Sequence, residues 1–149
     1  SIEDISNNTF LGAILYRYTL KAKEKNIRMN CDIRDKCIDG IDEMTITTIL
    51  YNLLDNAIEN CGGESPFINI SIQKKNDSYV NINILNRSIK KPVQNKYGDF
   101  ISDKPDKTMH GLGLKSIKST IKKNGGEFSA YYSPEDKVFH AVVILYVEK

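Results

Sequence analysis

The segment Thr45–Cys61 constrains this chain most, because it predicts one helix with two different sides. Its apolar residues recur at the spacing of a single buried helical face: Ile46, Ile49, Leu50, Leu53 and Ala57. Asn52 and Asn56 lie one helical turn apart, with Asp55 beside them. Asn is a mediocre helix former, so helix propensity does not explain the pair. The segment predicts either a solvated polar flank or a binding surface, and the remaining chain must decide between them.

Length and composition limit the possible classes of protein. With 149 residues we expect a single domain, and a net charge of +2 favours neither a nucleic-acid partner nor contact with an anionic membrane. Three cysteines (Cys31, Cys37, Cys61) form no CxxC pair and, with only two histidines, no zinc set, which favours a reducing, cytoplasmic compartment. The longest apolar run, Ala141–Val147, is too short to cross a bilayer. Because the chain begins with Ser1, we expect it to be part of a longer protein.

Hydrophobic periodicity predicts the order helix, strand, helix, strand, strand, long loop, helix, strand, strand. The predicted elements are a helix after Asn8-Thr9, strand Ile27–Ile33, helix Thr45–Cys61, strands Phe67–Lys74 and Tyr79–Asn86, a helix from Gly111 to Asn124, and strands Glu127–Tyr132 and Lys137–Val147. Helices placed among mostly antiparallel hairpins favour an α/β fold. We predict a two-layer α/β sandwich, in which one mixed, mostly antiparallel sheet carries three helices on one face.

The connection from Arg87 to His110 lacks any helical or strand pattern and is rich in Lys, Pro, Asp, Gly and Ser. It spans about two dozen residues, which is long for a structureless loop in a compact domain. Long loops of this kind are often functional lids. We therefore predict a lid here.

The segment His110–Ser116 follows this loop and contains two glycines ahead of the third predicted helix. Glycine lets the backbone approach a ligand closely, and a helix start offers free N–H groups to an anion. The segment is therefore a candidate phosphate site, although the glycines could also serve only as a hinge. It contains neither a Walker A sequence nor the third glycine of a dinucleotide-binding fingerprint. His110 and Lys115 could contact phosphate, but a hinge histidine and a solvated lysine explain them equally well.

The Asn-rich flank and the glycine segment together predict a nucleotide site. Amide carbonyl oxygens suit Mg²⁺, a hard cation that prefers oxygen ligands. Such an ion would bridge the flank at Asn52 and Asn56 to phosphates held at Gly111–Leu114. The long loop between them would then close over the nucleotide.

These sequences resemble a known family. Asn52-x-x-x-Asn56-Ala57 resembles the N box, and Gly111-Leu112-Gly113-Leu114 the G2 box, of the gyrase, Hsp90, histidine-kinase and MutL (GHKL) ATPases, which share the Bergerat fold. The wording of both segments is most similar to sensor histidine kinases of the peptide-sensing, accessory-gene-regulator type, which implies quorum sensing. The resemblance implies that Asn56 ligates Mg²⁺, that Asn52 helps to hold metal and phosphates, that the Gly111–Leu114 amides receive phosphate oxygens and that Asp55 lies near the nucleotide.

The chain also departs from the family pattern. The G1 box, Asp-x-Gly-x-Gly, is absent, and Ile84–Ser88 instead resembles the shortened Asn-Ser version of the peptide sensors. The resemblance implies that Asn86 accepts from the adenine amino group as a neutral amide, and that Ser88 of the same motif belongs to the nucleotide- and phosphate-binding residues. At Glu59 and Asn60 many sensor kinases carry a basic residue and an aromatic one instead.

The resemblance implies a function for the whole chain, residues 1–149: the ATP-binding catalytic domain of a sensor histidine kinase. It would use ATP and Mg²⁺ to phosphorylate a histidine on an upstream helical hairpin that this chain lacks. The implied partners are that hairpin and a response regulator, and the implied setting is the cytoplasmic side of a membrane-bound bacterial sensor. Asn52 stands where hydrolytic relatives carry a Glu that activates water, which argues against efficient hydrolysis. Two alternatives stay open: an anti-sigma-type protein serine kinase and a non-catalytic interaction module of the same fold.

Overall fold

The fold consists of helices and strands in the order that the periodicity predicts. In the computed structural model, residues 9–97, 100–101 and 114–147 are described. The elements are α1 (Thr9–Glu24), β1 (Arg28–Ile33), α2 (Glu43–Asn60), β2 (Phe67–Lys75), β3 (Tyr79–Arg87), β4 (Val93–Gln94), β5 (Phe100–Ile101), α3 (Leu114–Lys123), β6 (Glu127–Ser133) and β7 (Val138–Tyr146). No helix in these ranges is long and apolar enough to cross a membrane.

The main sheet has five strands in the order β1-β2-β3-β7-β6. β1 pairs with β2 in parallel, and the other three pairings are antiparallel. The β2–β3 hairpin turns through Asn76 and Asp77, which adopt φ values of 51° and 52°. Asn and Asp tolerate this left-handed conformation better than most residues, so the local sequence selects the turn. The predicted mixed, mostly antiparallel sheet is confirmed.

One face of this sheet carries the helices. Alternate residues of β2, β3 and β7 point toward them, and Ile70, Ile84 and Ala141 form one register row across the three strands. These side chains are buried and join the inner faces of α1, α2 and α3 in one hydrophobic core. The apolar residues that recur every second position in the strands and every 3.6 positions in the helices therefore pack against each other at a single interface. This is the predicted two-layer sandwich.

Helix α2 lies over the sheet and begins at a strong cap. Asp42 is the N-cap residue, and its carboxylate accepts a hydrogen bond of 3.0 Å from the backbone N–H of Thr45. The helix thus starts two residues before the predicted Thr45, because the cap satisfies an otherwise free backbone donor. At the other end, the Gly62 N–H donates to the Arg87 carbonyl at 3.1 Å and ties the helix end to β3.

Part of the connection after β3 forms secondary structure. Val93–Gln94 and Phe100–Ile101 pair as a short antiparallel ladder, which corrects the expectation of a connection without secondary structure. The Phe100 ring packs edge-on against Phe139 of β7, with ring centroids 5.1 Å apart. Phe100, inside the predicted lid, is therefore joined to the hydrophobic core.

Helix α3 ends where the glycines predict. The N–H of Gly126 donates to the Ile121 carbonyl at 2.9 Å, a closing bond typical of a glycine C-cap. A Cβ atom added at Gly126 would lie 2.5 Å from the Ile144 carbonyl oxygen. Only glycine allows the chain to pass this close to β7.

Candidate nucleotide site

One flank of α2 carries a row of polar residues spaced four apart, Thr48, Asn52, Asn56 and Asn60, which we call the amide ridge. The Asn52 side-chain nitrogen donates to the Thr48 carbonyl at 2.7 Å, and the Asn60 nitrogen donates to the Asn56 carbonyl at 2.8 Å. Only the nitrogen of an amide can donate, so these bonds fix which way each amide points. The Asn52 carbonyl oxygen is therefore turned away from its own helix.

Asn52 is buried like a core residue, with 5% of its surface exposed, yet its Oδ1 atom has no hydrogen-bond partner among the described residues. A buried acceptor without a donor costs about 1–3 kcal/mol. Native structures seldom keep such an atom without a use for it. An oxygen of this kind fits a bound cation or a ligand donor, so the side chain suits the role that the family resemblance implies.

Asn56 is partly buried, and its environment differs from that of Asn52. Its Oδ1 atom accepts a hydrogen bond of 3.1 Å from the Asn60 side-chain nitrogen. Asn60 thus acts on the very oxygen that the resemblance assigns to Mg²⁺. The sequence already contained this signal, because Asn60 continues the four-residue spacing of the ridge.

Asp55 lies on the other flank of α2, against α1. Its Oδ1 atom accepts a hydrogen bond of 2.9 Å from the Tyr18 hydroxyl and lies 3.8 Å from the Lys21 ammonium nitrogen. The expectation that Asp55 stands with the asparagines is therefore corrected: it belongs to the contact between the two helices. A nucleotide contact by Asp55 stays a prediction.

Asn86 and Ser88 stand at the end of β3, as the shortened motif predicts. Asn86 is 1% exposed, faces the helix layer, and donates from its side chain to the Arg87 carbonyl at 3.2 Å. Ser88 is held on both sides: its N–H donates to the Lys137 carbonyl at 2.8 Å, and its own carbonyl accepts from the Tyr132 hydroxyl at 2.6 Å. Ser88 thus anchors the segment that follows β3, a role that the sequence did not reveal. Contacts of Asn86 with adenine and of Ser88 with the nucleotide stay predictions.

The glycine segment falls mostly outside the described residues. His110, Gly111, Leu112 and Gly113 lie there, whereas Leu114 is the partly buried first residue of α3 and Lys115 is in its first turn. Helix α3 packs against α2, so both predicted halves of the site belong to one helix layer. The predicted phosphate contacts of His110, Gly111–Leu114 and Lys115 stay predictions.

The described part of the chain contains neither a carboxylate- or thiolate-based metal cluster nor a cysteine with a lowered pKa. No group of three or more His, Cys, Asp or Glu side chains there could hold a metal, so a cation on the ridge would rely on amide oxygens. The three cysteines are free, and burial raises the pKa of Cys31 and of Cys37 to about 11, which keeps these thiols protonated. His140 is a sheet residue, as predicted: it stacks on Tyr131 with centroids 4.3 Å apart, and burial lowers its pKa.

Comparison with known proteins gives the same fold and a family. The catalytic domain of the histidine kinase ThkA, in a nucleotide-free form, is 20% identical with a TM-score of 0.70, and the match covers 95% of this chain and 92% of that one. The mycobacterial sensor histidine kinase MprB is 15% identical with a TM-score of 0.64, covering 93% of each chain. ThkA in complex with the response regulator TrrA is 18% identical with a TM-score of 0.66, covering 96% of this chain and 41% of that one.

At such identities these structures establish the fold alone. A comparison with curated proteins finds no match. The family model of the GHKL domain, however, matches residues 41–145, which include α2, the amide ridge and every later element except the last residue of β7. This chain is therefore a member of the GHKL domain family.

Proposed function

We propose that this chain is the catalytic domain of a sensor histidine kinase, which binds Mg·ATP and delivers the γ-phosphoryl group to a histidine of the same parent protein. The observation that carries the proposal is the buried Asn52 Oδ1 atom, which has no partner among the described residues. The GHKL family match and the histidine-kinase fold support it.

The amide ridge would supply the ligands for the metal. In this proposal Asn52 and Asn56 hold Mg²⁺ through their carbonyl oxygens, Asn86 accepts from the adenine amino group, and the Gly111–Leu114 amides bind phosphate oxygens. Mg²⁺, when bound, neutralises phosphate charge and orients the transferred group. Phosphoryl transfer depends mainly on positioning and charge neutralisation, which suits a site built from neutral amides and backbone N–H groups.

The same residues disfavour rapid ATP hydrolysis. A side-chain amide has no basic atom that could take a proton from water, so Asn52 cannot act as the general base. The acceptor in this proposal is a histidine on an upstream helical hairpin, and a response regulator receives the phosphoryl group. The sequences of the N box and of Ile84–Ser88 support a full-length sensor of the peptide-sensing, quorum-sensing type.

Titration of the purified chain with ATP, in Mg²⁺ and in EDTA, tests the proposal. We expect weak, Mg²⁺-dependent binding and very slow turnover. Absence of binding at millimolar nucleotide would identify an interaction module instead, and turnover like that of dedicated ATPases would place the chain in another branch of the family.

Radioactive ATP gives a second test. His140 lies in β7 and stacks on Tyr131, so it is not placed on a helix as a phosphoacceptor. We expect no acid-labile label on the chain alone and label on an added fragment that carries the upstream hairpin. Acid-labile phosphate on this chain by itself would contradict the proposed acceptor.

A further inference from the structure

Helices α1 and α2 share a polar contact beside their apolar one, which we call the α1–α2 clamp. It comprises Arg17, Tyr18 and Lys21 of α1 with Tyr51 and Asp55 of α2. The Tyr18 and Tyr51 rings meet edge-on with centroids 5.7 Å apart, and the Arg17 guanidinium lies 5.5 Å from the Tyr51 ring centroid. The Lys21 ammonium lies 5.0 Å from the Tyr18 ring centroid and 3.8 Å from Asp55.

The centre of the clamp is the Tyr18 hydroxyl. Tyr18 is 1% exposed, and its hydroxyl donates to Asp55 Oδ1 at 2.9 Å with the Tyr51 carbonyl oxygen at 3.2 Å. Burial, and then the hydrogen bond to Asp55, raise the pKa of Tyr18 above its ordinary value. The hydroxyl therefore stays a proton donor over the whole physiological pH range. A buried donor with two acceptors on one helical turn fixes that turn more tightly than apolar contacts can.

The turn that Tyr18 holds is the turn that bears the proposed metal ligands. Asn52 directly follows Tyr51, and Asn56 directly follows Asp55. Apolar helix packing sets an approximate crossing angle but tolerates small sliding and rotation. A rotation of this turn would displace the ridge oxygens, because side chains on one helical turn move together. Misplacement of ligands by even 1 Å weakens a site strongly.

We propose that Tyr18 is a positioning residue for the nucleotide site, acting through its hydrogen bond to Asp55 to hold Asn52 and Asn56 in register with the ligand. This inference rests on the proposed function. It also gives Asp55 a use that differs from the nucleotide contact implied by family resemblance. The competing view is that the clamp only stabilises the fold.

Two substitutions break the hydrogen bond. Tyr18→Phe removes only the hydroxyl and keeps the ring, whereas Asp55→Leu removes the acceptor together with the ion pair to Lys21. We expect each to weaken Mg·ATP binding by about three- to tenfold, the range for loss of one buried hydrogen bond, with a much smaller change in EDTA. Asp55→Asn keeps an acceptor oxygen and should recover most of what Asp55→Leu loses. Tyr16→Phe is the matched control, since Tyr16 is 54% exposed on the same helix.

Affinity should be measured well below the melting temperature, with the melting temperature of each variant recorded beside it. If Tyr18→Phe melts lower but binds Mg·ATP like the parent, the clamp is structural and the inference is wrong. The double variant Tyr18→Phe/Asp55→Leu should bind no worse than Asp55→Leu alone, because the bond between Tyr18 and Asp55 is already lost in that single variant. Additive losses would mean that the two residues act independently of their shared bond, which overturns the positioning role.

Nucleotide binding by the unsubstituted chain separates this inference from the proposed function. If the unsubstituted chain binds Mg·ATP and the Tyr18→Phe variant binds it equally well, only the positioning role is wrong. If the unsubstituted chain fails to bind at millimolar nucleotide, both the proposed function and this inference are wrong.

Discussion

The side of α2 that faces the sheet and the amide ridge both contain buried residues, but the buried residues differ in polarity. The sheet side is apolar throughout and at most 1% exposed: Ile46, Ile49, Leu50, Leu53 and Ala57. On the amide ridge, Asn52 is also buried, but it leaves a carbonyl oxygen without a partner among the described residues. Burial on the sheet side stabilises the fold, whereas the buried, unpaired oxygen on the amide ridge destabilises it.

Within the eighteen residues of α2, one side therefore contributes stability and the other is the proposed binding surface. Burying an apolar side chain contributes about 1.5–3 kcal/mol, while an unpaired buried acceptor costs about 1–3 kcal/mol. A helix selected for stability alone would carry Leu or Ala at position 52. The unpaired amide oxygen at position 52 is the feature on which the proposed ligand role rests, and apolar burial on the sheet side offsets its cost in stability.

The largest expected effect is on the sheet side. Leu53→Ala removes a side chain that is 1% exposed, so we expect the free energy of unfolding to fall by about 2–5 kcal/mol. Urea denaturation measures this change, and Met44→Ala, at a residue 72% exposed on the same helix, should shift it by less than about 0.5 kcal/mol. Nucleotide affinity of the folded Leu53→Ala protein should match the parent. A specific loss of affinity at unchanged stability would contradict the division between the two sides.

The next effect is on the ridge. Asn56→Ala removes a carbonyl oxygen proposed to face Mg²⁺, and a contact with a charged partner is worth about 1.5–3 kcal/mol, roughly ten- to a hundredfold in affinity. Affinity for ATP in EDTA should change far less, since the lost oxygen acts through the metal. The melting temperature should hold or rise slightly, because alanine is the better helix former.

A matched control lies directly after the end of α3. The Asn124 side chain donates to the Thr120 carbonyl at 2.9 Å, the same local bond that Asn52 and Asn60 make on the ridge. Asn124→Ala should leave Mg·ATP binding unchanged. If Asn56→Ala also binds like the parent, the ridge is a solvated flank and the proposed site is wrong.

Asn52→Ala should move stability and binding in opposite directions. It deletes the unpaired buried oxygen and adds helix propensity, and the Thr48 carbonyl that loses its side-chain donor is still within the helix. We expect the free energy of unfolding to rise by about 1 kcal/mol while Mg·ATP affinity falls. Denaturation and titration of one preparation measure both. A variant that is destabilised would show that Asn52 Oδ1 is satisfied in solution, which removes the observation on which the proposed function rests.

Most of the fold followed from periodicity, because each element buries one regular face. The Ile residues of β2 and β3, at alternate positions, placed both strands to within one residue at their ends, and Asn76-Asp77 placed the turn. Periodicity could not place Asp55, since it states which residues share a helix flank but not which neighbouring helix meets that flank. Tyr18, 37 residues away, decides that. The β4–β5 ladder was missed because each strand has only two residues and no period.

The candidate site was predictable in part for the same reason. Spacing placed Asn52 and Asn56 on one flank of α2, and the motif at the end of β3 placed Asn86 on the sheet face that meets the helices. Their contacts with a nucleotide stay predictions. The anchoring of Ser88 by Tyr132 joins residues 44 apart in sequence, which no local pattern reports. The hydrogen bond between Asn60 and Asn56 was readable from spacing, but its consequence depends on which oxygen it occupies.

The hydrogen bond between Asn60 and Asn56 leads to the prediction with the smallest expected effect, an increase in affinity where the other ridge substitutions decrease it. The Asn60 side-chain nitrogen donates to the Asn56 carbonyl at 2.8 Å and lies 3.1 Å from Asn56 Oδ1, so it competes with any ligand for that oxygen. Asn60 is exposed, and an exposed neutral hydrogen bond is worth about 0.5–1 kcal/mol. Asn60→Ala should therefore raise Mg·ATP affinity by roughly two- to fivefold, with no change in EDTA. Isothermal titration of parent and variant resolves such a difference. A fall in affinity would mean that Asn60 orients the Asn56 amide for its ligand, and the ridge would then bind as a row of three asparagines and not as a pair.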